Sequence, residues 1–198
     1  MDGNYIVPDG FTGMQRPDAL DIDTIFMAMA VLMSAASKDP STQVGAIIVN
    51  KENRVLSLGY NGTPIGWKDS EFTWGKDYAE EAKEYEKYGS VVHAEVNAIR
   101  NYTGTHNNFE GSTAYVTLFP CEHCATILTQ FGVKRVVYLS DKYKKQVGNR
   151  QAKRTFQYCG IEYVPFDPKN LEGLNVSLLP DVGVERIEKG KGRQRGGK

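Results

Sequence analysis

A chain of 198 residues, 40% hydrophobic and 24% charged, has room for one globular domain with a proper core and little room for a second. Its 24 basic and 24 acidic side chains cancel, so no overall charge recommends a nucleic acid or a membrane surface as partner, and no run approaches the roughly 20 apolar residues that span a bilayer. The start lacks the basic and apolar regions of a signal peptide, and three cysteines make no disulfide framework, which together point to the cytoplasm.

Residues 1–18 carry Gly, Pro and Asp without periodicity and read as an extended N-terminal arm ahead of a globular unit over 19–167. From Asp21 to Ala36, Ile22, Ile25, Phe26, Met29, Leu32 and Met33 recur at steps of three and four, which predicts an amphipathic helix closed by Pro40. Val44–Val49 and Val55–Leu58 are β-branched and aliphatic runs joined by the turn-like stretch 50–53, a hairpin pattern. Gly59–Gly66 reads as a loop, and a short helix is expected over Tyr78–Lys87. Beyond it the order becomes regular. Helices are predicted at Val91–Tyr102, Cys121–Phe131 and Arg150–Tyr158, alternating with strands at Ala114–Leu118, Val136–Leu139 and Ile161–Pro165. Alternating strands and helices imply an α/β fold: five strands, opening with a hairpin and continuing through βαβ units in a largely parallel sheet. Residues 168–198 form a C-terminal extension whose end, 189–198, is basic, of low complexity and expected to be disordered.

Two short segments carry chemistry. Val91-Val92-His93-Ala94-Glu95 opens one predicted helix, and Phe119-Pro120-Cys121-Glu122-His123-Cys124 lies where a strand hands over to another. Cys121 and Cys124, three apart at a helix N-terminus, can turn both sulfurs to one ion, and the helix dipole favours their thiolate forms. His93 supplies a third ligand. One imidazole and two thiolates leave the fourth position of a tetrahedral zinc site open for water, as in a catalytic site. Glu95, two residues after the histidine, can face that water and the substrate while leaving the metal alone. H-x-E followed by P-C-x-x-C is the pattern of zinc nucleobase deaminases.

A structural zinc site would need a fourth protein ligand, and the remaining candidates read otherwise. Cys159 follows a predicted helix and looks like a small core residue. His106 sits in a polar turn, and His123 lies between the two ligand cysteines, where it can touch solvent or back up the ligands.

From Ser37 to about Phe166 the chain resembles the deoxycytidylate (dCMP) deaminases. The resemblance is carried by five segments in order: Ser37–Ala46, Gly59-Tyr60-Asn61-Gly62-Thr63-Pro64, His93-Ala94-Glu95, Pro120–Cys124 and Ser140-Asp141-Lys142-Tyr143. It implies a cytidine-deaminase-like three-layer sandwich, a five-stranded mixed sheet flanked by helices, with one zinc between two helix starts. It implies hydrolysis of dCMP to dUMP and ammonia, feeding thymidylate synthesis, with Glu95 as the proton carrier. Asn61 matches the asparagine that contacts the sugar, and a carboxamide can both donate to and accept from a deoxyribose hydroxyl; the alternative is a turn-forming Asn before Gly62. Tyr143 resembles the substrate-binding tyrosine after the fourth strand, and Ala94 is a further substrate-binding candidate. Ser37, Lys38 and Lys142 are candidates for the 5′-phosphate, with a solvated surface role as the alternative for each lysine. Many members are hexamers activated by dCTP and inhibited by dTTP, usually with Mg2+, through a site that includes the loop Gly59, Tyr60, Asn61 and Gly62. Some relatives hold a second, structural zinc ahead of the catalytic histidine. Here residues 62–92 contain neither Cys nor His, so one zinc per chain is expected.

Deaminases of other cytosine or adenine substrates share the same zinc logic. One that acts on nucleic acid would need a basic surface and stacking aromatics, and the globular part is not basic. A non-catalytic zinc-binding module is the alternative of another class, and Glu95 speaks against it.

Overall fold

The computed structural model describes residues 19–172 and 174. The expected arm over 1–18 and most of the expected C-terminal extension lie outside them.

Every residue of β1 (Gly45–Val49) is buried, which requires cover on both faces of the sheet. Alternation assigns the faces: Ala46 and Ile48 enter one core, Ile47 and Val49 the other. The same split runs through β3 (Thr113–Leu118), with Ala114 and Val116 against Tyr115, and through β4 (Arg135–Ser140), with Val136 against Val137 and Leu139. α1 (Ile22–Ser34) covers one face. α2 (Ala94–Asn101), α3 (Glu122–Gln130) and α4 (Val147–Tyr158) cover the other, completing three layers.

With β2 (Val55–Tyr60) and β5 (Glu162–Pro165) the sheet has five strands in the order β2-β1-β3-β4-β5. The hairpin β1–β2 is antiparallel, β1–β3 is antiparallel, and β3–β4 and β4–β5 are parallel. The sheet is therefore mixed, less parallel than the run of βαβ units suggests, because β1 enters beside β3 in the opposite sense. At the β2 edge, Asn97 and Asn101 of α2 donate to the carbonyls of Tyr60 and Leu58, covering groups that an edge strand leaves open.

Several boundaries differ from the sequence reading. α1 is apolar most of the way round, and its buried stripe is Phe26, Met27, Ala30, Val31 and Ser34, while Ile22, Ile25 and Leu32 stay exposed. The helix expected over Tyr78–Lys87 is two 3-10 turns, Glu80–Tyr85 and Lys87–Gly89, broken at Ala82 and Glu86. Gly59 belongs to β2 rather than to a loop. A side chain there would overlap the backbone of Ala94, Asn97 and Ala98, so this glycine lets α2 lie against the strand. α2 begins at Ala94, three residues later than expected, and α4 begins at Val147, three earlier. Packing also continues past Asp167: the turn Pro168–Leu171 buries Leu171 against the α1 side of the sheet. Among the described residues no helix is long and apolar enough to cross a membrane.

Candidate metal centre and cavity

His93 is the N-cap of α2 and Cys121 the N-cap of α3, both with extended backbone and neither spending its side chain on a capping hydrogen bond. Two helix starts thus point an uncommitted imidazole and an uncommitted thiol at one spot. Cys124, one turn into α3 and 1% exposed, completes the group. His93 Nδ1 lies 3.3 Å from Cys124 Sγ and 3.5 Å from Cys121 Sγ, and the three candidate donor atoms fall within 4.8 Å of one another. Among the described residues it is the group of at least three His, Cys, Asp or Glu side chains close enough to hold an ion. Cys159 is exposed at the end of α4, not a core residue, and His123 is exposed. His106 packs its ring against Phe131 at 5.0 Å.

The donor chemistry fits zinc: two sulfurs and one nitrogen, with no fourth protein ligand in the group. Among the protein groups alone, hydrogen bonding with Cys124 draws the Cys121 thiol down to about 3, and the bond to Cys121 lifts His93 to about 9. Cys124 moves the opposite way, well above an ordinary thiol, through its bond to Cys121 and its burial. The two cysteines thus divide one proton unevenly. A divalent cation needs both as thiolates and His93 neutral, so it takes the place of the protons that the trio otherwise shares.

Glu95 is 4% exposed, and burial raises its carboxyl above the ordinary range. It lines the same cavity as His93 and Cys121 without belonging to the ligand group. A carboxyl moved toward neutrality at a metal site is suited to carry protons in both directions.

The triplet and Glu95 line one end of a cavity of about 500 Å³. Ala94, Asn61 and Tyr143 line it too. An isolated β-bridge between Gly62 and Val92 ties Asn61 to His93 by way of their chain neighbours. Asn61 is nevertheless busy: its Oδ1 accepts from Val44 N at 2.8 Å, and its Nδ2 donates to the Thr42 carbonyl at 2.9 Å and to Asp39 at 3.4 Å. Both amide protons are committed, leaving one acceptor lone pair for a ligand. The expected donor role toward a sugar hydroxyl is therefore filled by protein contacts here.

The three expected phosphate residues do not line this cavity. Lys38 pairs with Asp69 at the surface and lines a second cavity of about 280 Å³. Ser37 accepts from the Asp39 backbone N–H. Lys142 stands at the rim, donating to Thr42 Oγ1 at 3.2 Å with its ammonium 4.9 Å over the Tyr143 ring.

Sequence reasoning passed over Asp39 and Lys87, both of which line the cavity. They form an ion pair with Nζ 2.7 and 2.6 Å from the two carboxylate oxygens. Asp39 lay inside a quoted segment as the neighbour of a helix-stopping proline. Lys87 stands in a charged stretch with no periodic signal to mark it as buried.

Residues 20–140 match the family model described as the cytidine and deoxycytidylate deaminase zinc-binding region. The deoxycytidylate deaminase of Homo sapiens is 42% identical over 155 residues, covering 78% of this chain and 85% of that protein. The deoxycytidylate deaminase of Enterobacteria phage T4 is 31% identical over 182 residues, covering 75% of this chain and 92% of that protein. Among solved structures, the dCMP deaminase of cyanophage S-TIM5 in complex with dCMP and dUMP superposes with a TM-score of 0.57 at 27% identity, over 77% of this chain and all of that one.

Proposed function

The chain belongs to the cytidine and deoxycytidylate deaminase family, and on that premise we propose that it hydrolyses dCMP to dUMP and ammonia. The observation that carries the reading is the buried Glu95 carboxyl beside the His93, Cys121 and Cys124 donors at the end of a cavity open to a ligand. Relatives of 31–42% identity that bear the name deoxycytidylate deaminase support the nucleotide as substrate.

His93, Cys121 and Cys124 would hold one Zn2+ per chain. Its chemistry, when bound, is to polarise oxygen ligands and bring the pKa of a water near 7. Glu95 does the proton work. It takes a proton from the attacking water and delivers it to ring N3 as the bond from oxygen to C4 forms. It then takes the proton of the new C4 hydroxyl and passes it to the exocyclic amine as the C4–N4 bond breaks, releasing ammonia and leaving the C4 carbonyl of uracil. Burial assists both deliveries by raising the carboxyl above its ordinary range, which favours the protonated form. Ala94, the first residue of α2, lines the cavity, and the unpaired N–H groups of a helix's first turn suit a ring oxygen. Asn61 offers its remaining lone pair to the sugar, and Tyr143 stands at the rim where the 5′ end would leave, with Lys142 over its ring.

Regulation belongs to the same reading: dCTP as activator and dTTP as inhibitor, with Mg2+, in a hexamer. The second cavity is the candidate place for an anionic effector: Tyr60, Gly62 and Thr63 line it beside the Arg100 cation, with Lys38 already paired to Asp69 at its edge. Gly59 contributes through its packing on α2 and Asn61 through the main cavity. Hyperbolic saturation curves that neither triphosphate moves would overturn the regulatory part, and sedimentation would decide the oligomer. The dUMP formed would serve thymidylate synthesis.

The direct test is to follow loss of cytosine absorbance with dCMP, deoxycytidine and CMP, with and without a chelator. Chelator-sensitive conversion of dCMP above the other two is expected. Turnover of deoxycytidine in preference to dCMP would keep the deaminase and discard the nucleotide.

A further inference from the structure

Lys87 and Asp39 are 4% and 2% exposed. Ionised side chains are that deeply buried only when their hydrogen-bonding capacity is answered. Asp39 is answered in full, since besides Lys87 it accepts from the backbone N–H groups of Ser41 and Thr42 and from Asn61 Nδ2. Lys87 is not. An ammonium has three protons, the two oxygens of Asp39 take two, and for the third the described residues offer no oxygen or nitrogen acceptor, only the Tyr88 ring with its centroid 5.6 Å away. Lys87 lines the cavity, so a ligand there is the remaining partner.

The surroundings fit an anion. The charge of Asp39 is spread over its other donors, which leaves the ammonium end of the pair electropositive. Tyr88, Tyr143, Thr42 and Lys76 line the same cavity. Of the other lysines first in line for a phosphate, Lys38 pairs with Asp69 away from this cavity, while Lys142, with one bond to Thr42, stays at the rim and can add its charge to the same anion.

We propose that Lys87 binds the 5′-phosphate of the nucleotide, and that Asp39 is a positioning residue that aims its ammonium into the cavity and links it to Asn61. The inference rests on the dCMP reading above. It makes the preference for a phosphorylated substrate a property of one buried lysine.

The test compares kcat/KM for dCMP with that for deoxycytidine in wild type, in Lys87→Met and in Lys87→Met/Asp39→Asn, where both charges go and the shapes stay. The ratio is independent of the fraction of active protein. A charge-assisted hydrogen bond predicts that it falls by roughly tenfold to a hundredfold in both variants. A merely structural role would lower both substrates together and leave the ratio within about twofold, which would overturn the inference alone. A wild-type ratio below one would overturn the nucleotide reading with it. A second measurement needs no variant: in 15N-lysine spectra of the wild-type protein, the slowly exchanging ammonium of a buried lysine should shift with dUMP and stay put with deoxyuridine. An unmoved signal at saturating dUMP would sink the assignment.

Discussion

The two ends of the main cavity are built in different ways. At the metal end each side chain inherits its direction from a regular element: His93 and Cys121 cap α2 and α3, and Glu95 and Cys124 follow within one turn. At the polar end Asp39, Asn61, Lys87 and Tyr143 come from four separate irregular stretches, and side-chain contacts bind the first three together across 22 and 48 residues of chain. A site held by its backbone can lose a side chain and keep its shape. A network held by its own side chains cannot, so substitutions at the polar end should alter stability and affinity together, while those at the metal end alter the rate.

The largest effect expected is at Glu95. Glu95→Gln keeps the volume and removes the proton carrier, so kcat should fall by about 10²–10⁴ with zinc content and melting temperature near wild type. Turnover within tenfold of wild type, measured alongside metal content, would show that another group moves the protons. Metal removal should act as sharply: a strong chelator abolishes turnover, Zn2+ restores it, and the reloaded chain holds one zinc. A reading of two would mean a second site that the described residues do not show. Cys121→Ser should cut both metal content and turnover.

Asp39→Ala should separate the two ends. It leaves the Lys87 ammonium buried without its partner, a loss of about 3–5 kcal/mol for a buried pair. At about 2–4 °C per kcal/mol, the melting temperature should fall by roughly 6–20 °C. If the metal end is independently held, the folded variant still binds one zinc at low temperature. Loss of zinc in the folded variant would show that the two ends are one cooperative unit, joined through Asn61 and the Gly62–Val92 bridge.

This division also explains what the sequence could disclose. The metal end was legible because ligand spacing is short and each segment opens a helix. The three-layer sheet was legible because β1, β3 and β4 alternate between two cores. The buried stripe of α1 was not, since a helix apolar on most sides does not say which side the sheet will choose. Nor was the polar end. Lys87 and Asp39 look like solvated charges until the fold brings them together, and Lys38 looked like a phosphate ligand because its segment marks the family. The sense of β1 was hidden too, since strand and helix order alone does not give its pairing with β3.

The smallest effect should come from a third region, on the α1 face of the sheet, and it serves as the control. Asp23 accepts from Arg135 at 2.7 Å and from the Tyr115 hydroxyl, and the bond from Arg135 chiefly holds its carboxyl below the ordinary range. A carboxyl with a depressed folded pKa contributes stability above its unfolded value near 3.9, and that contribution disappears as pH falls through the folded value. Wild type should therefore exceed Asp23→Asn by a constant margin from pH 5 to 8 that shrinks below about pH 4. The pair is about one-third exposed, so solvent screening keeps the margin below about 1 kcal/mol. Zinc content and the dCMP-to-deoxycytidine ratio should both be unmoved. A change in either would mean that the α1 face is coupled through β3 to the cavity, and that neither end is held as locally as its contacts imply.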